Sequence, residues 1–313
     1  MSHVSDIPLI DVSPLVEARP GGAEAVARQI GAASRQVGFF YITGHGILDD
    51  VVAGVFAQSM RFFAAPAAVK DAVRYVGTAG NRGHVPLGGE TLKPGTLPDR
   101  KECFNIGLEL AEDDPELIAG KPFRHRNPWP DLPGFRETML DYFSRMHRLG
   151  MTLHRAFALD LGIDRHFFDD KLSRPMAVLR LLHYPATSVP AVGEMGAGEH
   201  TDYGNLTLLA TDDVGGLAVR TRAGTWVDAP VVPGALICNI GDCLMRWTND
   251  TYVSTPHRVA SPRRRDRYSV VFFLDPNPDA VVACLPSCRG DGARYAPVVA
   301  VDYLKSRLDP TYA

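Results

Sequence analysis

GEHTDYGNLTLLA, residues 198–210, is the stretch that decides the predicted fold and its chemistry. His200 and Asp202 stand two residues apart at the head of a run that becomes apolar. If the run is a β-strand, both side chains leave the same face, because strand side chains alternate with a period of two. Ten histidines in a chain with about one acidic residue in nine give roughly one such pair by chance. The pair therefore indicates a metal site only if a third ligand exists.

His257 supplies that third ligand, in the segment NDTYVSTPHRVASP (249–262). The segment reads as a second strand, and a Gly-Asp turn at 241–242 precedes it. Two histidines and one carboxylate are the ligands of a facial-triad iron site, which leaves three adjacent coordination positions open. Zinc suits the same ligand types. The residues alone therefore predict a metal site and leave the choice between iron and zinc open.

An anion site is predicted ten residues further on, in RYSVVFF (267–273). Arg267 and Ser269 are two apart and should share one face of a strand. A guanidinium beside a hydroxyl can bind both oxygens of a carboxylate. Tyr184, in an earlier strand, supplies another hydroxyl, whereas its neighbour His183 should face the other way and is not counted as a ligand. The alternative for Arg267 is an ion pair with a neighbouring acid.

The composition excludes several classes of protein. A net charge of −3 without a long charged run argues against a nucleic-acid partner. The longest apolar runs are too short to span a bilayer, and the first ten residues show no signal peptide, so we expect a cytoplasmic protein without a membrane partner. The cysteines show no Cys-x-x-Cys pair and fit a reducing compartment: Cys103, Cys238, Cys243, Cys284 and Cys288. Cys284 and Cys288 could interact, but two independent loop thiols are favoured.

Hydrophobic periodicity predicts helices in the first half of the chain and strands in the second. Helical spacing recurs over 22–38, over 49–66 with Asp49 or Asp50 as its cap, and over 134–161. From residue 176, short β-rich segments alternate with turn residues, which is typical of a sandwich or barrel. The predicted fold class is α+β with a mainly β core, a jelly roll flanked by N-terminal helices.

The order HTD (200–202), HRV (257–259) and RYS (267–269) resembles the iron- and 2-oxoglutarate-dependent dioxygenases of the isopenicillin N synthase-like branch. IPLIDVSPL (7–15), GFFYITGHGI (38–47) and PDRKECFNIG (98–107) resemble the N-terminal and middle parts of that branch. The resemblance implies a double-stranded β-helix. It also implies Fe(II) on His200, Asp202 and His257, with O2 as oxidant.

The resemblance further implies that Arg267 and Ser269 hold the distal carboxylate of 2-oxoglutarate, with Tyr184 nearby. The expected regions are an N-terminal dioxygenase region (1–125), a long helix and connection (126–175), the Fe(II)/2-oxoglutarate jelly roll (176–280) and a C-terminal extension (281–313). They are expected to form one compact unit.

The predicted function is oxidation of a C–H bond of a small molecule, with release of succinate and CO2. Three alternatives stay open: an oxidase that uses no 2-oxoglutarate, an ethylene-forming enzyme that fragments 2-oxoglutarate, and a non-catalytic metal-binding jelly roll. A modest excess of cations in the loop 80–102 predicts a carboxylate-bearing substrate. The candidate substrate contacts are Arg82, His84, Arg246 and Phe273.

Overall fold

The computed structural model describes residues 7–312. Its helices are α1 Ser13–Val16, α2 Gly22–Gln36, α3 Asp49–Phe63, α4 Ala67–Asp71, α5 Pro115–Ile118, α6 Phe135–Asp160, α7 Asp242–Trp247 and α8 Ala300–Leu308. Its strands are β1 Leu9–Asp11, β2 Phe39–Thr43, β3 Gly83–Val85, β4 Glu102–Gly107, β5 Val178–Tyr184, β6 Ala197–His200, β7 Leu206–Thr211, β8 Leu217–Arg220, β9 Trp226–Asp228, β10 Leu236–Ile240, β11 His257–Val259, β12 Arg267–Leu274, β13 Val281–Val282 and β14 Val298–Val299.

Two facing sheets form the jelly roll and enclose its core. The main sheet has eight strands in the order β1-β2-β10-β7-β12-β5-β4-β3, and the small sheet has the order β6-β11-β8-β9. Apolar side chains from both sheets meet in one buried cluster between them, among them Leu182, Ile237 and Val271 from the main sheet and Val219 and Val259 from the small one. The predicted double-stranded β-helix is confirmed.

The long helix α6 supports the outer face of the main sheet. Its apolar side chains recur every three or four residues and are buried, so one face of the helix packs against the sheet and against α2 and α3. The sequence predicted this helix over 134–161, and it spans Phe135–Asp160. Gly31 lets α2 approach the C-terminal end of α6 closely, because a Cβ at position 31 would come within 2.0 Å of Asp160 Oδ1.

The predicted cap of α3 is wrong. Leu48 occupies the N-cap position and makes no side-chain cap hydrogen bond, while Asp49 and Asp50 lie in the first turn. Their negative charges interact favourably with the positive end of the helix dipole, and Asp50 Oδ1 accepts a hydrogen bond from Val51 N at 2.8 Å, although neither residue occupies the N-cap position. The helix ends at Phe63, before Pro66, as the sequence predicted.

The N-terminal region is part of the main sheet rather than a separate layer. Strands β1 and β2 extend one edge of it through β10, and β3 and β4 extend the other edge through β5. The sheet therefore crosses the predicted boundaries at 125 and 175. No helix within residues 7–312 combines the length and the apolar composition that crossing a bilayer requires.

Candidate functional site

His200, Asp202 and His257 converge at one end of the jelly roll. Their ligand atoms all lie within 4.8 Å of one another. Asp202 Oδ1 is 3.8 Å from His200 Nε2 and 3.7 Å from His257 Nε2. Strand pairing brings the two histidines together, because His257 of β11 stands directly opposite His200 of β6. One ion placed among these three atoms can therefore contact all of them.

Asp202 reaches the cluster by a different route from the one that the sequence predicted. Strand β6 ends at His200, and Asp202 lies in the connection to β7, so period-two alternation along one strand does not place it. The turn is held by backbone hydrogen bonds, with Asp242 N donating to Asp202 O and Gly241 N donating to Asn205 O. A turn, rather than a strand face, aims the carboxylate at the histidines.

Backbone carbonyls fix the orientation of both imidazoles. His200 Nδ1 lies 2.7 Å from Gly198 O, and His257 Nδ1 lies 3.1 Å from Thr255 O. A carbonyl can only accept, so each Nδ1 carries the proton and each Nε2 presents its lone pair to the cluster. Burial, together with the proximity of His257, lowers the pKa of His200 to about 3. His200 is therefore neutral at ordinary pH, which is the form that binds metals.

Asp202 is oriented by two neighbouring strands. Its Oδ2 accepts hydrogen bonds from Thr207 Oγ1 at 2.5 Å and from Asn239 Nδ2 at 2.7 Å, which leaves Oδ1 for the ion. Burial opposes ionisation of this carboxyl, but His257, His200 and the two hydrogen bonds outweigh it and lower its pKa. Two imidazoles and one buried carboxylate, each held by a second partner, fit an iron(II) ion by donor type.

Arg267 and Ser269 lie side by side on β12, as the sequence predicted. The Arg267 side chain is buried and donates from Nε to Gly215 O at 2.7 Å and from Nη1 to Ser269 Oγ at 3.2 Å. Its Cζ lies 4.9 Å from the centre of the Tyr184 ring, on the paired strand β5. Within residues 7–312, Arg267 forms no ion pair with a carboxylate, so its buried positive charge lacks a counter-ion.

One cavity contains both groups. It lies between the sheets, opens to solvent, and is lined by His200, Asp202, His257, Tyr184, Arg267 and Ser269. His183 faces the opposite side of the sheet, as predicted, and contacts Glu102 and Asp266.

The four predicted substrate contacts divide into one that lines the cavity and three that do not. Phe273 lines it. Arg82 is fully buried elsewhere and donates to the backbone oxygens of Gly80, Asn81 and Phe123.

His84 and Arg246 are likewise occupied outside the cavity. His84 Nε2 lies 2.9 Å from Glu102 Oε2, and the Arg246 guanidinium lies over the rings of Tyr295 and Tyr303. Neither residue lines the cavity. The structure therefore gives no support to substrate contacts by Arg82, His84 or Arg246.

Sequence reasoning missed a charged cluster that lines the cavity. Arg180 of β5 donates to both carboxylate oxygens of Glu90, at 3.0 and 3.3 Å, and also to Tyr312 Oη. Lys101 lies 2.9 Å from Glu90 and 2.6 Å from Asp99. Each cation thus has a carboxylate partner. The pairs join positions up to 90 residues apart, so no local spacing in the sequence signals them.

The C-terminal helix covers one side of the cavity. Leu304 and Leu308 of α8, with Thr311, contribute to its wall. Thr91 N donates to Thr311 O at 3.1 Å, and the Tyr312 ring stacks on that of Tyr75 with centroids 4.7 Å apart. The sequence predicted only a C-terminal extension over 281–313, and nothing in the local pattern of that segment indicated a contribution to the site.

Two family models match this chain. Residues 7–132 match the N-terminal model described as non-haem dioxygenase in morphine synthesis, and residues 175–276 match the 2OG-Fe(II) oxygenase superfamily. Among curated relatives, the 2-oxoglutarate-Fe(II) type oxidoreductase hxnY of Emericella nidulans is 35% identical over 97% of this chain and 90% of its own. The homoarginine-6-hydroxylase 2-ODD-C23 of Glycine max is 37% identical over 89% and 88%.

A solved structure agrees with these matches. A full-length Neurospora crassa protein, crystallised in complex with alpha-KG and thymine, superimposes with a TM-score of 0.87 at 33% identity and covers 99% of each chain. The two models span most of the sequence, and the relatives exceed 30% identity over nearly its whole length. The chain therefore belongs to the 2OG-Fe(II) oxygenase superfamily, whose chemistry depends on iron(II), 2-oxoglutarate and O2.

Proposed function

We propose that this oxygenase holds Fe(II) with His200, Asp202 and His257 and binds the distal carboxylate of 2-oxoglutarate with Arg267 and Ser269. The observation that carries the proposal is the buried, unpaired guanidinium of Arg267 in the same cavity as the three metal-binding side chains. A buried cation needs a counter-ion, and the planar Arg fork matches a carboxylate. The Tyr184 ring lies against the Arg267 guanidinium, with 4.9 Å between Cζ and the ring centre, and interacts favourably with its positive charge.

The charges of the proposed assembly cancel. Fe(II) and the Asp202 carboxylate sum to +1, the 2-oxoglutarate dianion brings the sum to −1, and Arg267 returns it to zero. A neutral assembly can occupy a buried cavity at a far smaller desolvation cost than an unpaired charge. This balance explains why Arg267 has no carboxylate partner within the described chain, whereas Arg180 and Lys101 have theirs.

With iron and 2-oxoglutarate bound, the site would supply the oxidation of a substrate C–H bond by O2, coupled to the conversion of 2-oxoglutarate to succinate and CO2. The tasks of the chain itself are to bind, to orient and to exclude water. Thr207 and Asn239 hold Asp202, the backbone carbonyls hold the two imidazoles, and the apolar side chains of β12 and α8 wall the cavity. A C–H bond held close to the metal reacts in preference to others.

The substrate is a small molecule that fits beside 2-oxoglutarate. The thymine bound to the Neurospora crassa protein and the name of the Glycine max homoarginine-6-hydroxylase support this size class. The expectation of a carboxylate-bearing substrate rested on the cationic excess of the loop 80–102, with Arg82 as its best-placed member, and the Arg82 guanidinium is held by backbone carbonyls outside the cavity. We therefore propose no carboxylate contact between the substrate and Arg82.

The test is a measurement of succinate release by Fe(II)-loaded protein with 2-oxoglutarate and O2, first without and then with candidate small molecules. We expect slow release without substrate and stimulation by a subset of compounds. His200→Ala and His257→Ala should lose iron and activity, whereas Arg265→Ala, a surface position paired with Asp213, should keep both. Substrate oxidation that continues at full rate without 2-oxoglutarate would favour the oxidase alternative, and iron binding without any turnover would favour the non-catalytic one.

A further inference from the structure

Asp275 is a buried carboxyl group that the proposed chemistry does not use. It follows β12 directly, is 5% exposed, and lines the cavity that contains the metal-binding residues. Within residues 7–312, no side chain or backbone N–H donates a hydrogen bond to it, and no Lys, Arg or His pairs with it. Buried carboxyl groups almost always have such partners, so a missing partner at a cavity wall points to a ligand.

A glycine makes room for this carboxyl group. A Cβ on Gly204 would come within 1.7 Å of Asp275 Oδ1, so a side chain at position 204 would displace the carboxyl group. Gly204 lies two residues after Asp202, which places Asp275 close to the metal-binding cluster. Burial, with a further contribution from the charge of Asp202, raises the pKa of Asp275 to about 7. Within residues 7–312, no cationic side chain offsets this effect of burial on Asp275.

The other charges on the cavity wall are already balanced. Arg180 pairs with Glu90, and Lys101 with Glu90 and Asp99, while Arg267 is assigned to 2-oxoglutarate. Neither Arg180 nor Lys101 therefore offers an unpaired positive charge to an acidic substrate. Once the iron and 2-oxoglutarate charges cancel with Arg267, Asp275 is the described carboxyl group on this wall whose ionisation would add an unbalanced negative charge. A cationic group is the ligand that would neutralise it.

We propose that Asp275 binds a protonated nitrogen of the substrate, an ammonium or guanidinium group, and so selects small basic molecules. The inference rests on the proposed function, because it assigns the substrate class of the same cavity. The apolar side chains of Phe273, Leu304 and Leu308 line the cavity as well and suit the hydrocarbon part of such a molecule. Asp275 is thus a specificity-determining residue, opposite in charge to the arginine contact that the sequence suggested.

The experiment uses protein loaded with Zn(II) and 2-oxoglutarate, which cannot turn over, and four probes of matched size: butylamine, butylguanidine, butyramide and butyrate. Ligand-detected NMR measures the dissociation constant of each. We expect butylamine and butylguanidine to bind at least tenfold more tightly than butyramide and butyrate. Asp275→Asn should lower the affinity for the basic probes 10- to 100-fold and change the affinity for butyramide less than threefold.

Asp279→Asn is the matched control, because Asp279 lies four residues further along and is exposed. Its affinities should equal those of wild type. Equal binding of all four probes, binding of neither basic probe, or unchanged affinities in Asp275→Asn would overturn the proposal. If Asp275→Asn fails to fold, the order of probe affinities in wild type still decides. Metal and 2-oxoglutarate binding, measured in the same samples, separates failure of this inference from failure of the proposed function.

Discussion

Replacing Arg267 should weaken 2-oxoglutarate binding while leaving the metal site intact. The guanidinium is 1% exposed and is held in place by Gly215 O, Ser269 Oγ and the Tyr184 ring, so it needs little reordering to receive a carboxylate. One hydrogen bond to a charged group contributes about 1.5–3 kcal/mol. Arg267→Ala, which also leaves the bound carboxylate unpaired, should therefore cost about 3 kcal/mol or more, a loss of roughly 150-fold in affinity.

The conservative variant separates charge from geometry. Arg267→Lys retains a positive charge, but one ammonium cannot reproduce two parallel N–H donors, so it should recover only part of the loss. Anaerobic calorimetric titration of 2-oxoglutarate into Fe(II)-loaded protein measures these affinities, and metal content measured in parallel shows that iron is still bound. Arg265→Ala serves as the control and should change affinity less than twofold. An affinity of Arg267→Ala within threefold of wild type would refute the assignment.

Three further predictions concern metal affinity and stability. Asn239→Ala removes a hydrogen bond to Asp202, the proposed metal-binding carboxylate, and should lower Fe(II) affinity about 10- to 100-fold, measured by chelator competition; unchanged affinity would contradict the role of Asn239. Burial lowers the pKa of His154 to about 4. Because the unfolded chain takes up this proton below about pH 6.5 and the folded chain does not, stability falls as the pH drops from 6.5 toward 4. Between pH 7 and 5 the metal-free wild type should lose about 2 kcal/mol more than His154→Gln in urea unfolding, and parallel losses would contradict this. Gly31→Ala should destabilise by about 1–3 kcal/mol because its Cβ would strike Asp160. Gly54→Ala in α3, where a Cβ would make only an ordinary contact with Thr138 Cγ2 at 4.0 Å, should be neutral or stabilising by up to about 1 kcal/mol; equal effects of the two substitutions in urea unfolding would contradict the packing.

The parts of the site that the sequence predicted are those carried by short-range spacing. Arg267 and Ser269 share a strand face because they are two residues apart, and His183 faces away from Tyr184 for the same reason. Helix α6 was predictable because its apolar period runs through 26 residues. Local pattern is sufficient wherever one regular element positions the residues.

The parts that the sequence did not predict depend on turns and on distant partners. Asp202 is aimed by a turn after β6, and Arg180 by a carboxylate 90 residues earlier. Arg82 looked like a free cation in a loop, but the missing side chain of Gly107 leaves a slot for its guanidinium, since a Cβ there would lie 1.6 Å from Arg82 Cζ. Only the folded sheet brings these positions together, so no local window of sequence contains the information.

The central claim is that one metal ion on His200, Asp202 and His257 and one 2-oxoglutarate on Arg267 occupy the same cavity. The most direct measurement is an anaerobic titration of 2-oxoglutarate into Fe(II)-loaded protein, with visible absorption recorded after each addition. We predict a charge-transfer band that saturates at one 2-oxoglutarate per chain, is absent in His257→Ala, and requires far higher 2-oxoglutarate in Arg267→Ala. A band of equal strength and midpoint in all three proteins, or no band in wild type that binds both iron and 2-oxoglutarate, would contradict the account.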